Sequence, residues 1–194
     1  RLSTEEDYSA VIYSKEDLII NGNGTLNVNA GYRNGIKSTD DCIIVSGTLN
    51  ITSTEDGIIG KDLCGIVAGD ININAGSDGI KSTYDTDTTK GNVIIEGGNI
   101  TIKASNDGIQ AENILVINDG TINIKTNNGA ADTTQTHIDN MDMGRGGFGF
   151  NNNKTTTTTD DTSESRKGIK AGNMLIINDG DITIDSDDDS VHCN

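Results

Sequence analysis

The sequence predicts an all-β fold, a parallel β-helix (β-solenoid) of about six coils. Two observations lead to this prediction. The glycines Gly35, Gly57 and Gly79 recur every 22 residues within the same short motif, and a fixed period in this range is typical of repeat architectures. Apolar and polar residues also alternate with a period of two inside each repeat, which indicates strands rather than helices.

Each repeat contains three short segments, and the pattern begins at Val11. The first segment is a Gly-Ile-Lys-Ser motif, as at residues 79–82. The second is an apolar run, as at residues 42–45, and the third alternates, as at residues 48–52. Strands this short cannot bury their faces as separate hairpins, but stacked coils let each strand pair with its copy about 4.8 Å away. The predicted solenoid is therefore on the order of 30 Å long.

Alignment of the repeats predicts the inward-facing positions as three aliphatic stacks and one column of small residues. The stacks are Leu49, Ile71, Ile100, Ile122 and Ile182; Ile51, Ile73, Ile102, Ile124 and Ile184; and Ile36, Ile58, Ile80, Ile109, Ile169 and Val191. The small column is Ser38, Gly60, Ser82, Ala111, Ala171 and Cys193. Cys42 and Cys64 share another inward column within disulfide range. We expect two buried thiols there, because cysteine in apolar surroundings behaves as a small hydrophobic residue.

The period also indicates the domain organisation. We expect a single β-helix domain over residues 11–194, preceded by an N-terminal extension at residues 1–10. Two insertions interrupt the repeat. One, near residues 84–90, lengthens a coil by seven residues, and the other, at about residues 130–166, is a low-complexity excursion from one turn.

The excess of acidic over basic residues indicates which kinds of partner the protein can bind. Acidic residues outnumber basic residues 30 to 14, which gives a formal net charge of -16. A surface this negative repels nucleic acid and anionic lipid but attracts cations. No apolar run approaches the roughly 18 residues that a membrane span requires, so we expect neither nucleic-acid binding nor membrane insertion.

Acidic residues concentrate in the turn before each Gly-Ile pair, at Glu55, Asp56, Asp78 and Asp107. Stacking would place Asp56, Asp78 and Asp107 about 5 Å apart, which is unfavourable for like charges unless they splay into water or share a cation. Ca²⁺ takes six to eight oxygen ligands, so this column is a candidate calcium site. The alternative is that Asp-Gly is only favourable turn chemistry.

Two further acidic clusters complete the candidate metal ligands. They are Asp40 with Asp41, and Asp187 with Asp188 and Asp189. His137 and His192 are distant from each other in the sequence, so a histidine-based metal site or a catalytic triad has little support.

The Asp-Gly-Ile-Lys-Ser motif at residues 78–82, the apolar triplets and the Gly/Met/Asn-rich insertion at residues 141–153 resemble a family of bacterial extracellular carbohydrate-binding domains. Its founding clostridial member is a cellulose- and pectin-binding protein with a polysaccharide-lyase-like fold. The resemblance covers the chain from Val11 onward. It implies a right-handed parallel β-helix, bound Ca²⁺, and a secreted or cell-surface location.

The resemblance also maps family calcium ligands onto Asp56, Asp78, Asp107 and the cluster Asp187, Asp188 and Asp189. The chain departs from the family pattern where Asn34 and Asn128 replace the acid and where Ser190 replaces glycine. These coils are weaker candidates for a metal site.

Three functions remain in competition at this point. The first is non-catalytic, calcium-dependent binding of an extracellular polysaccharide, either acidic sugars such as pectin or cellulose. The second is a structural subunit that stacks end to end into an extracellular fibre, because uncapped solenoid ends expose strand edges. The third is a calcium-dependent polysaccharide lyase, with Lys81 or Lys103 as the base that removes the proton next to a uronate carboxylate.

Overall fold

The protein is described from a computed structural model, which describes residues 9–127, 129 and 165–194. These residues form 19 β-strands in three parallel sheets, and none of them lies in a helix. Sheet A contains β1 (Ala10–Ser14), β4 (Asn34–Ser38), β7 (Ile58–Gly60), β10 (Ile80–Ser82), β13 (Ile109–Ala111), β16 (Ile169–Ala171) and β19 (Val191–Cys193).

The other two sheets have six strands each. Sheet B contains β2 (Leu18–Ile20), β5 (Asp41–Ile44), β8 (Leu63–Ile66), β11 (Asn92–Ile95), β14 (Ile114–Ile117) and β17 (Met174–Ile177). Sheet C contains β3 (Thr25–Ala30), β6 (Thr48–Ser53), β9 (Asp70–Ala75), β12 (Asn99–Ala104), β15 (Thr121–Thr126) and β18 (Asp181–Asp185). Every third strand pairs in parallel with its copy one coil away, so the predicted parallel β-helix of about six coils is confirmed.

The strand register confirms the predicted inward stacks. Leu49 pairs with Ile71, and Ile51 with Ile73, in neighbouring strands of sheet C. The stacks are fully or nearly buried in the middle coils, while Val191 at the last strand remains 48% exposed. The alternation arises because successive strand side chains point to opposite faces, so one residue in two of each strand enters the core.

Cys42 and Cys64 are directly paired in the register of sheet B, and both are free, buried thiols, as predicted. Burial raises the pKa of the Cys42 thiol to about 12. The apolar column therefore holds both sulfurs in the neutral form, in which cysteine packs as a small hydrophobic residue.

The recurring glycine of the motif is required by close packing rather than by an unusual φ. A Cβ at Gly57 would lie 2.5 Å from the carbonyl oxygen of Gly79 and 2.5 Å from Cγ2 of Ile73. Gly79 meets Ile102 and Gly108 in the same way. A side chain at this corner would push neighbouring coils apart, so the glycine recurs with the period of the coil.

The two predicted insertions have different outcomes. Between β10 and β11 the coil is longer, as predicted, and the loop is held by an ion pair between Lys90 and Asp62 and by a hydrogen bond from the Asn113 amide to the Thr88 carbonyl. The second insertion follows β15, and residues 130–164 with His137 lie outside the described residues. The division into an extension at residues 1–10 and one domain at residues 11–194 stays a prediction.

Candidate functional site

The acidic residues lie in three kinds of turn, which we name by the sheets they connect. The C–A turn precedes the Gly-Ile pair and contains Asp56, Asp78 and Asp107. The A–B turn contains Asp40 and leads into Asp41, the first residue of β5, and the B–C turn contains Asp119 and Asp179. These turns lie on different edges of the solenoid, so the predicted ligands do not form one site.

The acids of the C–A turn form a hydrogen-bonded ladder along the solenoid. The backbone N–H of Asp78 donates to Oδ1 of Asp56 at 3.0 Å, and the backbone N–H of Asp107 donates to Oδ1 of Asp78 at 2.9 Å. The N–H of Lys167 donates to Oδ1 of Asp107 at 2.7 Å. One carboxylate oxygen of each acid therefore satisfies a backbone donor of the next coil, which would otherwise be buried without a partner.

Lysine side chains neutralise the two most buried acids of this ladder. Nζ of Lys81 lies 2.6 Å from Oδ2 of Asp78, and Nζ of Lys170 lies 3.6 Å from Oδ2 of Asp107. Burial and the neighbouring acids raise the pKa of Asp78, although Lys81 opposes the shift. The second oxygen of each carboxylate thus faces an ammonium group of the protein itself, in the place where a cation was predicted.

At the two ends of the ladder, the position of the aspartate is occupied by another residue. Asn34 replaces the acid in the first coil, and its Oδ1 accepts the N–H of Asp56 at 3.0 Å. A neutral amide performs the same function there, so the ladder needs an oxygen acceptor rather than a charge. In the coil after Asp107 the structure places Lys167 at this position, where the sequence alignment placed Asn128.

The cluster of Asp187, Asp188 and Asp189 is also paired with basic groups. Nη1 of Arg166 lies 2.8 Å from Oδ2 of Asp187, and Nδ1 of His192 lies 2.9 Å from Oδ2 of Asp189. Asp188 pairs with Lys167. Burial would raise the pKa of Asp188, but the hydrogen bond from Lys167 and backbone donors lower it below its ordinary value.

The A–B turn has a different arrangement, because it brings together carboxylates from two coils. Asp17, Asp40 and Asp41 each offer an oxygen, and these oxygens all lie within 4.8 Å of one another. Asp17 was missing from the predicted ligands. The signal was present, because a repeat that begins at Val11 places Asp17 at the position of Asp41.

Two carboxylates of this acidic cluster, Asp40 and Asp41, have raised pKa values. Partial burial, together with repulsion from Asp17 and Asp62, raises the pKa of Asp40. Partial burial and repulsion from Asp17, Asp40 and Asp62 likewise raise the pKa of Asp41, while Lys90 opposes the shift from a distance. In the described part of the chain, the basic group beside this cluster is Lys90, and its ion pair is with Asp62.

This cluster fits a hard divalent cation. It supplies several carboxylate oxygens at the separation expected for ligands of one ion. Burial, together with repulsion from neighbouring acids, raises the pKa values of Asp40 and Asp41. Asp17, Asp40 and Asp41 would hold the ion and would leave positions for water or a ligand. Glu55, another predicted ligand, is exposed in the C–A turn and lies apart from this cluster.

The B–C turn forms a polar groove of about 360 Å³ beside the first residues of sheet C. Gly98, Gly120 and Gly180 have φ values of 104°, 122° and 112°, a region that side chains rarely adopt. The turn therefore stays free of side chains at these positions. The groove is lined by Gly98, Asn99, Asp119, Gly120, Thr121, Asp179, Gly180 and Asp181. The repeated Asn-Asp-Gly at residues 118–120 and 178–180 was the signal for this groove in the sequence.

The outer face of sheet C continues the polar character of the groove. The Asn50 amide donates to Oδ1 of Asn27 at 2.8 Å, and the Asn72 amide donates to Oδ1 of Asn50 at 3.1 Å. The Asn99 amide donates to Oδ1 of Asp70 at 2.8 Å. These side chains hold one another in fixed orientations, so sheet C presents an ordered hydrogen-bonding surface with little apolar area.

The two lysines considered as a catalytic base lie in different settings. Burial would lower the pKa of Lys81, but the attraction of Asp78, Asp56 and Asp107 raises it above its ordinary value. A base must be deprotonated to accept a proton, and this environment favours the protonated form. Lys103 lies on the outer face of sheet C beside Lys125 in the next strand.

Comparisons with known proteins extend this description. A family model described as "Carbohydrate-binding domain-containing protein" matches residues 1–194. A curated protein of that description from Acetivibrio thermocellus is 44% identical over 43 residues, which cover 22% of this chain and 15% of that protein. A solved structure described as a polysaccharide lyase-like protein from C. thermocellum, a gadolinium derivative, is similar with a TM-score of 0.62 and 36% identity.

The similarity to the solved structure covers 63% of this chain and 50% of that chain. The chain therefore spans half of that structure and a smaller share of the curated relative. None of the described residues belongs to a helix long and apolar enough to cross a bilayer. Because the family model matches the full length of the sequence, the chain belongs to the family of carbohydrate-binding domain-containing proteins.

Proposed function

We propose that this chain binds an extracellular polysaccharide without cleaving it, and that Ca²⁺ strengthens the binding. The family match supports carbohydrate binding in general. The observation that carries the proposal is the groove of the B–C turn, which opens beside the polar face of sheet C. Asn99, Thr121 and Asp181 lie there in three successive coils and offer donors and acceptors at the strand spacing.

Such a groove suits sugar hydroxyl groups. Carboxylates such as Asp119 and Asp179 accept hydrogen bonds from hydroxyls, and the amide of Asn99 can donate or accept. Charge-assisted hydrogen bonds of this kind are stronger than neutral ones. An extended polymer can contact several coils at once, and each further coil repeats the contact without a new type of residue.

The proposed calcium site is the acidic cluster of Asp17, Asp40 and Asp41. We prefer it to the ladder of Asp56, Asp78 and Asp107, because the ladder carboxylates already hold backbone donors, and Asp78 and Asp107 also face lysines. Calcium binding at the ladder and at Asp187, Asp188 and Asp189 stays a prediction. The solved structure that this chain resembles is described as a gadolinium derivative, and gadolinium is also a hard cation.

If the sugar is acidic, bound calcium would reduce the electrostatic repulsion between the sugar and the protein. The net charge of -16 repels a uronate polymer, and a divalent ion held by the acidic cluster would reduce that repulsion. A neutral glucan such as cellulose would not be repelled in this way. The requirement for calcium therefore distinguishes the two sugar classes of the proposal.

The test is binding of the chain to polygalacturonate and to cellulose, with Ca²⁺ and with a chelator. We expect Asp41→Asn to remove the effect of calcium on polygalacturonate binding. The double variant Asn99→Ala with Thr121→Ala should weaken binding in both conditions. Asn27→Ala, on the same sheet but outside the groove, is the matched control. Equal binding with and without chelator would overturn the calcium part, and unchanged binding by the double variant would overturn the groove.

A polysaccharide lyase is the second candidate, favoured by the description of the similar structure as lyase-like. The base would be Lys103, since Lys81 is held in the protonated form by Asp78. Absorbance of unsaturated uronate product, followed with polygalacturonate and Ca²⁺, separates binding from cleavage. Steady release that Lys103→Met abolishes would replace the binding proposal.

End-to-end assembly into a fibre and an extracellular location stay predictions. Particle size measured with and without chelator tests the first of them. A particle that grows without limit as its concentration rises would favour the fibre, and growth in discrete steps would count against it.

A further inference from the structure

The first B–C turn is longer than the later ones. Four residues, 21–24, connect β2 to β3, whereas three residues connect sheet B to sheet C in each of the other five coils. The register pairs Ile20 with Ile44 before the turn and Thr25 with Thr48 after it. One residue of the first turn therefore has no counterpart in the next coil.

Asn23 is this unmatched residue. The carbonyl of Gly24 keeps its register, because it accepts the N–H of Thr48 at 2.9 Å. Gly22 is held as well, since its N–H donates to the hydroxyl of Ser46 at 3.1 Å. Asn23 lies between the two glycines, is exposed, and makes no hydrogen bond to any described residue through its side chain.

An asparagine followed by a glycine can react with its own backbone, and asparagine is one of the thermolabile residues. The nitrogen of Gly24 loses its proton to solvent base and attacks Cγ of Asn23. The new N–C bond closes a succinimide ring, and the side-chain nitrogen leaves as ammonia. Water then opens the ring to aspartate or isoaspartate. Glycine favours the attack because it has no side chain to shield the nitrogen and allows the backbone to adapt.

Three Asn-Gly pairs lie wholly within the described residues, and they differ in how firmly the reacting atoms are held. In the pair of Asn34 and Gly35, the asparagine is 5% exposed. Its amide donates to the carbonyl of Ser9 at 2.7 Å, and its Oδ1 accepts the N–H of Asp56 at 3.0 Å. The N–H of Gly35 donates to the carbonyl of Asp56 at 2.9 Å. This pair is fixed by the first step of the C–A ladder.

The pair of Asn21 and Gly22 is held by one side chain of the next coil. The hydroxyl of Ser46 accepts the N–H of Gly22 and lies 2.8 Å from Oδ1 of Asn21. Both groups that would have to react are therefore engaged. The asparagine itself is exposed, so these two contacts are what restrains it.

The pair of Asn23 and Gly24 has neither restraint. Within the described part of the chain, no acceptor binds the N–H of Gly24 and no donor or acceptor binds the side chain of Asn23. A Cβ placed on Gly24 would meet no heavy atom within 4 Å, so the space beside its nitrogen is open. The side chain of Asn23 can thus approach this nitrogen without breaking a contact.

We propose that Asn23 is a site of spontaneous deamidation, selected by the extra residue of the first B–C turn. The product adds a carboxylate to this turn. Isoaspartate also adds a methylene to the backbone beside Gly24, whose carbonyl holds the N–H of Thr48. The polar groove of the B–C turn begins at Gly98, three coils away, so the modification leaves that groove unchanged.

The experiment is a time course of the 194-residue chain at neutral and at mildly alkaline pH, followed by tryptic digestion and mass spectrometry. Cleavage after Lys15 and Arg33 releases residues 16–33, and fragmentation of this peptide distinguishes Asn21 from Asn23. Asn23 should lose its amide first. Asn21 should react about tenfold more slowly, because two hydrogen bonds of ordinary strength must open, and Asn34 should be slower still.

The rate at Asn23 should rise with pH, because the Gly24 nitrogen must lose its proton before it attacks. Ser46→Ala should accelerate deamidation of Asn21 until it approaches that of Asn23, while the rate at Asn23 stays the same. In the chain unfolded by guanidinium, all three pairs should react at similar rates, which shows that the folded structure sets the order.

A folded wild type in which Asn23 reacts no faster than Asn21 would overturn the proposal. So would the same order of rates in the unfolded chain, since the order would then come from the local sequence. No change at Asn21 in Ser46→Ala would also contradict it. Because no sugar or metal is present, the outcome does not depend on whether the chain binds polysaccharide.

Discussion

The C–A turn and the A–B turn both stack aspartates from successive coils, but the two turns differ in how many lysines and backbone donors pair with the carboxylates. In the C–A turn, Asp78 and Asp107 are 4% and 1% exposed and hold backbone donors and lysines. In the A–B turn, Asp17, Asp40 and Asp41 lie near the surface with their carboxylate oxygens within 4.8 Å of one another, and burial together with repulsion from neighbouring acids raises the pKa values of Asp40 and Asp41. A repeated acid thus indicates a cation site only where the protein leaves its charge uncompensated.

The largest expected effect tests the structural role of the ladder. Asp78→Ala removes the acceptor of the Asp107 N–H and the partner of Lys81, so it should lower the free energy of unfolding by about 2–4 kcal/mol, measured by urea denaturation. Asp78→Asn keeps Oδ1 as an acceptor, as Asn34 does, and should lose less than half as much. If both variants stay within about 0.5 kcal/mol of wild type, the ladder is not what stabilises this turn.

Calcium should stabilise the protein through the acidic cluster alone. At about 100 times the Kd, a single site adds about 2.7 kcal/mol to the free energy of unfolding. Thermal unfolding with and without Ca²⁺ should show this gain in wild type and in Asp78→Asn, but not in Asp41→Asn. A gain that persists in Asp41→Asn and disappears in Asp78→Asn would move the ion to the ladder.

The acidic cluster should also produce a pH effect in the absence of metal. The pKa values of Asp40 and Asp41 are raised in the folded state, so the folded protein binds more protons than the unfolded chain as these groups titrate. Their contribution is then most favourable at low pH and is lost as the pH rises through the folded pKa values.

The measurement for this effect is the unfolding temperature across about pH 3.5 to 7, a range that spans ordinary and raised carboxyl pKa values, for wild type and Asp41→Asn with chelator. Wild type should lose stability relative to the variant as the pH rises, because the amide that replaces the Asp41 carboxylate carries no charge. Parallel pH profiles for the two proteins would show that the carboxylates do not interact.

The smallest effect concerns Lys90, the basic residue next to the acidic cluster. Lys90→Met leaves Asp62 without its ion pair and removes a cation that lowers the pKa of Asp41. We expect the calcium affinity to rise a few-fold, because the local negative potential increases. Lys103→Met on sheet C removes the same charge far from the cluster, and isothermal titration calorimetry should show no comparable change there. A lower affinity in Lys90→Met would mean that the loop it anchors supports the site.

Much of the fold could be predicted from the repeat, including the inward stacks, the longer coil near residues 84–90 and the paired thiols of Cys42 and Cys64. The candidate sites were harder to predict. Asp40 and Asp41 were recognised as a cluster, but Asp17 comes from the preceding coil and was missed. The outward residues of sheet B were not identified either, because a run such as Ile43–Ile44 contains one inward and one outward residue that composition does not distinguish.

The sequence by itself determined the coil, because a 22-residue period with alternating β-branched residues leaves stacked parallel strands as the way to bury every apolar face. Only the tertiary structure decided which acids remain available to a cation. That outcome depends on where lysines and backbone donors lie relative to each carboxylate, and these partners come from other coils. Lys170, 63 residues after Asp107 in the sequence, reaches its carboxylate only because the solenoid stacks the two coils.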